Sequence, residues 1–205
     1  MRPAARNDLQ SGAVIQKIAA GSALAGWIGR SPVNFAFSEE QEQLREFVHS
    51  FLEDKSSEAA VREQMATEQG YDEAVWTQMA EQMGLQALTI PEEYGGQGYG
   101  YVELIVVLEE MGRSLLCAPY FSSVVLAANA LIHSNDDQAK SDLLPQIASG
   151  TIATVAFTEQ NGKWDESGIT MAATPSGDGY TLNGTKMYVV DGHIAFFFND
   201  TAPTE

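Results

Sequence analysis

The residues best suited to chemistry lie where an apolar stretch turns polar, in "VAFTEQNGKWDESG" at positions 155–168. The apolar start predicts a buried strand, and the polar, glycine-bearing remainder predicts a loop. Thr158 would offer a hydroxyl at the end of the strand, and Trp164 a ring that could stack on a ligand or plug the mouth of a pocket. A threonine in a strand is more often a plain strand residue, so the pattern by itself leaves open whether the loop holds anything.

The other reactive residue types give no catalytic or metal site. The single cysteine, Cys117, lies in the apolar stretch "RSLLCAPYF", which favours an inert thiol over a nucleophile. His49, His133 and His193 are scattered and lack the spacing of metal ligands. We therefore predict no metal and name no catalytic residue within this sequence.

The charge of the chain is strongly and unevenly negative. The net charge is −17, yet residues 1–33 hold four basic residues against one acidic residue, a net of +3 that leaves −20 for the rest. A body this acidic repels phosphate backbones, so we expect no nucleic-acid partner. The sequence contains no apolar run of 18 residues, and we therefore expect no membrane span.

Helical periodicity covers residues 34–150. Ser38 and Gln41 have the spacing of a capping box at the start of a first helix, and a more polar helix is predicted over about 57–69. Asp72 should cap a third helix that ends at Gly84. The stretch "FSSVVLAANALIH" predicts a central buried helix, and Pro145 is expected to interrupt the next one.

After Gly150 the apolar period changes from 3.6 to 2. Strands are predicted in "TIATVAFT", "GITMAATP", "GYTLNG" and "TKMYVV", with turns at 176–179 and at Asn183-Gly184. Helices followed by strands indicate an α+β chain, with an N-terminal all-α domain and then an incomplete antiparallel β-domain.

Several short motifs together carry a family resemblance. They are Trp76, Met79, Gly84-Leu85, "IPEEYGGQG" (90–98), "EEMGR" (109–113), "LLPQIASG" (143–150), "AFTE" (156–159) and "LNGTKMYVVDG" (182–192). In this order and spacing the chain resembles the flavin-dependent acyl-CoA dehydrogenases over residues 34–195. The resemblance implies the family's N-terminal helical domain at 34–150 and the start of its middle β-domain at 151–195.

The resemblance also implies a chemistry. The family converts an acyl-CoA thioester to a trans-2-enoyl-CoA with FAD and passes electrons to an electron-transfer flavoprotein. Its base is a glutamate in a C-terminal helical bundle, to which no residue of this sequence corresponds. Full-length members form homo- or hetero-oligomers, and the implied location is the cytoplasm, or the mitochondrial matrix in a eukaryote.

Six residues correspond to ligand-contacting positions of that family. Val155, Phe157 and Thr158 match the strand against the flavin ring, Tyr188 replaces a tryptophan that covers the ring, and Val190 replaces a threonine whose hydroxyl reaches it. Trp164 stands where the family has a serine near both flavin and substrate. Glu159 matches an acid that more often shapes the loop. These departures keep a second hypothesis open, in which the chain is a non-catalytic partner subunit of a heteromeric dehydrogenase.

The two ends of the sequence differ from its middle. Residues 1–33 are basic and rich in Ala and Gly, and we expect an unstructured extension outside the family domain. The segment "FFFNDTAPTE" at 196–205 shows no strand partner in the pattern, and we expect it to be a non-native tail that follows a truncation near Ala195.

Overall fold

A computed structural model describes residues 36–200 of the chain, with side chains as far as Phe197. Six α-helices and one π-helix come first and four short strands follow. The helices are α1 (Glu39–Lys55), α2 (Glu58–Met65), α3 (Glu73–Glu81), α4 (Tyr101–Arg113), the π-helix (Phe121–Ala128), α5 (Asn129–Ile132) and α6 (Asp137–Ala148). The strands are β1 (Ala153–Ala156), β2 (Ala173–Ser176), β3 (Gly179–Leu182) and β4 (Phe197–Asp200). The α+β fold class is confirmed. The predicted extension 1–33 and the last five residues of the predicted tail 196–205 lie outside the described residues.

The first helix begins where the sequence predicted. The amide of Gln41 donates to Ser38 Oγ, and the amide of Ser38 donates to Gln41 Oε1, so the capping box is formed. The buried face of α1 contains Leu44, Val48 and Leu52 and packs against α4. This packing gives the helical half its first layer.

The buried core joins the helices to the first strand. Its larger cluster takes residues from α1, α3, α4 and the π-helix, and includes Trp76 and Met79. A second cluster, centred on Ile90, Leu144 and Ile147, contains Ala153 of β1. The first strand is thereby packed on the π-helix, and its orientation is fixed by the helical half.

Two elements in this part of the chain differ from the sequence prediction. The helix α6 continues through Pro145 to Ala148, so the proline does not interrupt it. The buried side chains of Leu144 and Ile147 hold this last turn in place and offset the amide hydrogen bond that proline cannot make. The "FSSVVLAA" stretch is mostly buried, as expected, but Phe121 at its start is 49% exposed and the backbone is a π-helix.

The strands form two separate pairs. Strands β2 and β3 make the predicted antiparallel hairpin, with Gly177 in the left-handed region at φ +63°. Strand β4 lies parallel to β1, with Ala153 opposite Phe197, so the expectation that the start of the 196–205 segment has no strand partner is wrong. Pairing across more than 40 intervening residues is invisible to a local pattern.

The predicted strand "TKMYVV" is reduced to one antiparallel bridge, between Glu159 and Lys186. Tyr188 and Asp191 have φ of +55° and +54°, and such residues cannot continue an extended strand. Within residues 36–200, no helix has both the length and the apolar character needed to cross a bilayer.

Candidate functional site

A short irregular segment, residues 186–191, lies along the end of β1; we call it the flanking segment. The amide of Met187 donates to the carbonyl of Thr158 at 2.7 Å, and Thr154 Oγ1 donates to the carbonyl of Val190 at 2.7 Å. The segment therefore runs antiparallel to residues 154–159. Two parts of the sequence that are separated by 26 residues meet here and form one surface.

A buried carboxylate, that of Glu159, lies at the end of this surface where the flanking segment begins. Glu159 is 6% exposed and accepts hydrogen bonds from the amides of Thr170 and Met171, from the Thr170 hydroxyl, and from Lys186 Nζ at 3.0 Å. Lys186 is equally buried, at 7%. The Thr170 hydroxyl, the Met171 amide and Lys186 together lower the pKa of Glu159 to about 2, against the opposing effect of desolvation. Glu159 is thus ionised and shapes the loop, as its position in the motif suggested.

The other end of the flanking segment is tied to the helical half. Ser122 Oγ, in the buried part of the π-helix, lies 2.6 Å from Asp191 Oδ2 and donates to it. Ser123 Oγ contacts both the amide and the carbonyl of Ala153, at 3.1 and 3.2 Å. The π-helix therefore holds β1 and the flanking segment at once.

The residues matched to flavin contacts are brought together on this surface. Val155 and Phe157 are half-buried, Thr158 is 7% exposed, and Val190 and Tyr188 are 42% and 84% exposed. Thr158 is bonded to the residue before Tyr188, and Val190 lies beside Thr154. The five positions that are separated in sequence thus share one edge of the β-half.

Two donors at this edge are available to a ligand. Among the hydrogen bonds formed within residues 36–200, none uses the hydroxyl of Thr158 or the amide of Val190. A hydroxyl and a backbone amide beside an exposed aromatic ring can bind the polar edge of a planar heterocycle and cover its face. The donor types present are therefore compatible with the isoalloxazine ring of FAD, and the contacts of Thr158, Val190 and Tyr188 with that ring stay predictions.

The loop that contains Trp164 is held mainly by its own hydrogen bonds. Asn161 Nδ2 donates to the carbonyl of Gly168 at 2.7 Å, and Asp165 Oδ1 accepts from the amide of Ser167 at 2.9 Å. Trp164 is 81% exposed. An open cavity of about 540 Å³ between this loop and the hairpin is lined by Glu159, Gln160, Asn161, Thr170, Met171, Asn183, Gly184 and Thr185. Trp164 does not close that cavity, and its role as a substrate contact stays a prediction.

Four residues that position the site were not found from the sequence: Ser122, Thr154, Thr170 and Lys186. A basic residue in "TKMYVV" was a usable signal for an ion pair with Glu159, but choosing the partner required the register. In the described part of the chain, no group of three His, Cys, Asp or Glu side chains could hold a metal ion.

Comparison with known proteins first identifies the helical half of the chain. A family model for the acyl-CoA dehydrogenase N-terminal domain matches residues 38–151, more than half of the chain. Acyl-CoA dehydrogenase IpdE2 of Mycolicibacterium smegmatis is 40% identical over 71% of this chain and 44% of its own length. The mitochondrial isovaleryl-CoA dehydrogenase of Pongo abelii is 32% identical over 76% of this chain and 37% of its own length.

Solved structures agree on the fold and extend it into the strands. The ChsE4–ChsE5 complex of Mycobacterium tuberculosis superposes with a TM-score of 0.74 at 30% identity, over 84% of this chain and 46% of the matched chain. The chain spans less than half the length of these relatives.

Proposed function

The chain belongs to the acyl-CoA dehydrogenase family, and we propose that it serves the FAD-dependent α,β-dehydrogenation of an acyl-CoA thioester to a 2-enoyl-CoA. The observation that carries this proposal is the edge formed by Thr158 and Val190. Their donors lie along one surface of the β-half, which Tyr188 flanks with an exposed ring. Acyl-CoA dehydrogenases are FAD-dependent, and these residues supply the contacts that such a cofactor needs.

The residues of this chain that we place at the cofactor edge would bind and orient, and we assign the proton transfer to none of them. When bound, FAD supplies the acceptor for the hydride that leaves the β-carbon of the thioester. The Thr158 hydroxyl and the Val190 amide would hold the ring in one orientation, and Tyr188 would shield one face from water. Orientation of this kind contributes to rate because it fixes the reacting groups before the reaction begins.

The relatives suggest two substrate classes. Their names include an isovaleryl-CoA dehydrogenase, whose acyl group is small and branched, and a steroid acyl-CoA dehydrogenase with a far larger one. We propose an acyl-CoA substrate in this range, with Trp164 beside it and an electron-transfer flavoprotein as the electron acceptor.

The test is FAD binding and turnover by the purified full-length protein. We expect a yellow protein with one FAD per chain and reduction of the flavin by an acyl-CoA series that runs from isovaleryl to steroid side-chain thioesters. The variant Thr158→Val, which loses only the hydroxyl, should bind FAD more weakly. A protein that binds no FAD would refute the proposal.

A second function, the non-catalytic partner subunit, is favoured by a specific observation. Val190 has no hydroxyl where the family has a threonine, and Trp164 stands in place of a serine. The similar solved structure, ChsE4–ChsE5, is a complex of two named chains. If the purified protein binds FAD but is reduced by acyl-CoA only after a second dehydrogenase chain is added, the partner role is correct. Turnover by the protein alone would exclude it.

A further inference from the structure

The flanking segment is placed beside β1 without a β-ladder. It forms a single bridge, at Glu159 and Lys186, and Tyr188 then leaves the extended conformation. In a regular strand the ladder fixes the register, and a slip of one residue turns every side chain to the opposite face. Here some other set of contacts must decide which groups of the segment face the ligand edge.

Side chains at both ends of the segment supply these contacts. At the far end, Thr154 holds the carbonyl of Val190, and Ser122 holds Asp191. At the near end, beside the backbone hydrogen bond from Met187 to Thr158, the side-chain contact is the ion pair of Lys186 with Glu159, in which both side chains are 7% exposed. A slip of one residue would leave a buried carboxylate without its cation, which is a costly state in the interior of a protein.

The carboxylate of Glu159 also binds the chain on its other side. It accepts from the amides of Thr170 and Met171 and from the Thr170 hydroxyl, so its position does not depend on Lys186 alone. Because the carboxylate is held by these bonds, it fixes the position of the Lys186 ammonium group. The ion pair therefore fixes the register of the flanking segment relative to β1.

We propose that Glu159, through its ion pair with Lys186, is a positioning residue that sets the register of the flanking segment and so aims the Val190 amide and the Tyr188 ring at the bound flavin. The inference rests on the proposed function, because it assigns a role in that same cofactor site. Glu159 itself does not touch the ligand. Its effect is transmitted through three residues of backbone.

The simplest alternative is that Glu159 only fastens the 160–171 loop. Two substitutions separate these roles. Lys186→Met removes the link to the flanking segment but leaves the bonds of Glu159 to Thr170 and Met171 in place. Thr170→Val removes a bond on the loop side and leaves the ion pair. Lys186→Arg keeps a cation beside Glu159 and serves as the conservative variant.

The experiment measures the FAD dissociation constant and the visible circular dichroism of the bound flavin in the purified full-length protein. We expect Lys186→Met to weaken FAD binding about tenfold or more and to change the flavin spectrum. Lys186→Arg should restore most of the affinity, and Thr170→Val should keep both affinity and spectrum near wild type. Glu58→Gln, in the exposed pair with Arg62, is the matched control and should change neither quantity.

The results separate the two proposals. If Lys186→Met binds FAD like wild type with an unchanged spectrum, or if Thr170→Val loses as much affinity as Lys186→Met, the positioning role is wrong while the proposed function stands. If wild type binds no FAD, the proposed function fails and takes this inference with it. Should Lys186→Met not fold, Lys186→Gln gives the same test, because its shorter, uncharged side chain removes the ion pair and leaves the loop bonds of Glu159 in place.

Discussion

The Nδ1 atom of His49 lies 2.9 Å from Oε2 of Glu110, and this contact joins α1 to α4 across the helical half. The Glu110 side chain is 2% exposed and also meets Arg45 at 3.4 Å and Arg113 at 3.5 Å. Burial raises the pKa of Glu110, but the hydrogen bond from His49, the charge of Arg113 and the hydrogen bond from Arg45 outweigh it and lower the pKa. A buried carboxylate with two arginine neighbours and one histidine neighbour holds the two helices together.

Replacing this carboxylate should destabilise the helical half. We expect Glu110→Gln to lower the free energy of unfolding by about 2 kcal/mol, because a buried, charge-assisted set of hydrogen bonds is lost. Glu58→Gln removes a partner from the exposed Arg62 pair and should cost less than about 0.5 kcal/mol. Urea unfolding followed by far-ultraviolet circular dichroism measures both. Equal losses in the two variants would show that Glu110 is no more important than a surface residue.

The loop that carries Glu159 should open in acid. The pKa of Glu159 is lowered to about 2, chiefly by the Thr170 hydroxyl. The ionised carboxylate therefore adds to the stability of the folded state above its pKa in the unfolded chain, which is near 4.3. That gain is lost as the pH falls from about 4.5 towards 2. Hydrogen exchange at the amides of Thr170 and Met171, expressed as protection factors, should report the opening over this range.

The variant Glu159→Gln provides the control for this pH effect. Its protection at Thr170 and Met171 should be low already at pH 6 and should not change further between pH 4.5 and 2. A protection profile identical to that of wild type would contradict the assignment of the effect to Glu159.

Two neighbouring glycines in "EYGGQG" should respond differently to alanine. A Cβ on Gly96 would lie 1.8 Å from the carbonyl oxygen of Ile90, so the backbone itself would have to move. Gly95 has φ +80° and open space around it. We expect Gly96→Ala to cost about 3 kcal/mol or more and Gly95→Ala only about 1–2 kcal/mol, the strain of a left-handed alanine. Thermal unfolding of the two variants side by side decides the order, and the reverse order would refute the close approach.

Trp164 should affect ligand binding without affecting stability. Because its side chain is 81% exposed, Trp164→Ala should change the free energy of unfolding by less than about 0.5 kcal/mol. If it contacts the substrate as proposed, the KM for acyl-CoA should rise in the same variant. An unchanged KM across substrates of different size would remove Trp164 from the site.

The sequence predicts those parts of the fold that depend on residues close together in the chain. The Ser38 cap, the Asp72 cap and the hairpin turn at Gly177 each depend on residues within four positions of one another, and all three are formed. The parallel pairing of β4 with β1 and the irregular path at Tyr188 depend on contacts made across long stretches of chain. No periodicity records such contacts.

The candidate site shows the same division. Thr158 and Val190 could be named because motifs mark them, and the structure brings their segments together. Their supports, Thr154, Ser122 and Lys186, are ordinary strand, helix and loop residues in the sequence. Only the register shows that Thr154 meets Val190 and that Ser122 meets Asp191.

Asp191 offers the sharpest test of how the π-helix holds the flanking segment. It occupies the left-handed region at φ +54°, which asparagine and aspartate tolerate better than alanine, and it accepts a hydrogen bond from Ser122. Asp191→Asn keeps both properties and removes only the charge, so we expect a change below about 0.5 kcal/mol. Asp191→Ala loses the bond and adds backbone strain, with an expected cost of about 1–2 kcal/mol.

The cost of Asp191→Ala is bounded because the buried Ser122 hydroxyl keeps the carbonyl of Pro119 as an acceptor at 3.0 Å. Chemical denaturation gives the stability of both variants, and FAD titration shows whether the flanking segment has moved. If Asp191→Asn is as damaging as Asp191→Ala, the negative charge holds the segment rather than the hydrogen bond and the left-handed turn. If only Asp191→Ala weakens FAD binding, the link from the π-helix to the cofactor edge is mechanical, as the geometry of Ser122 and Asp191 indicates.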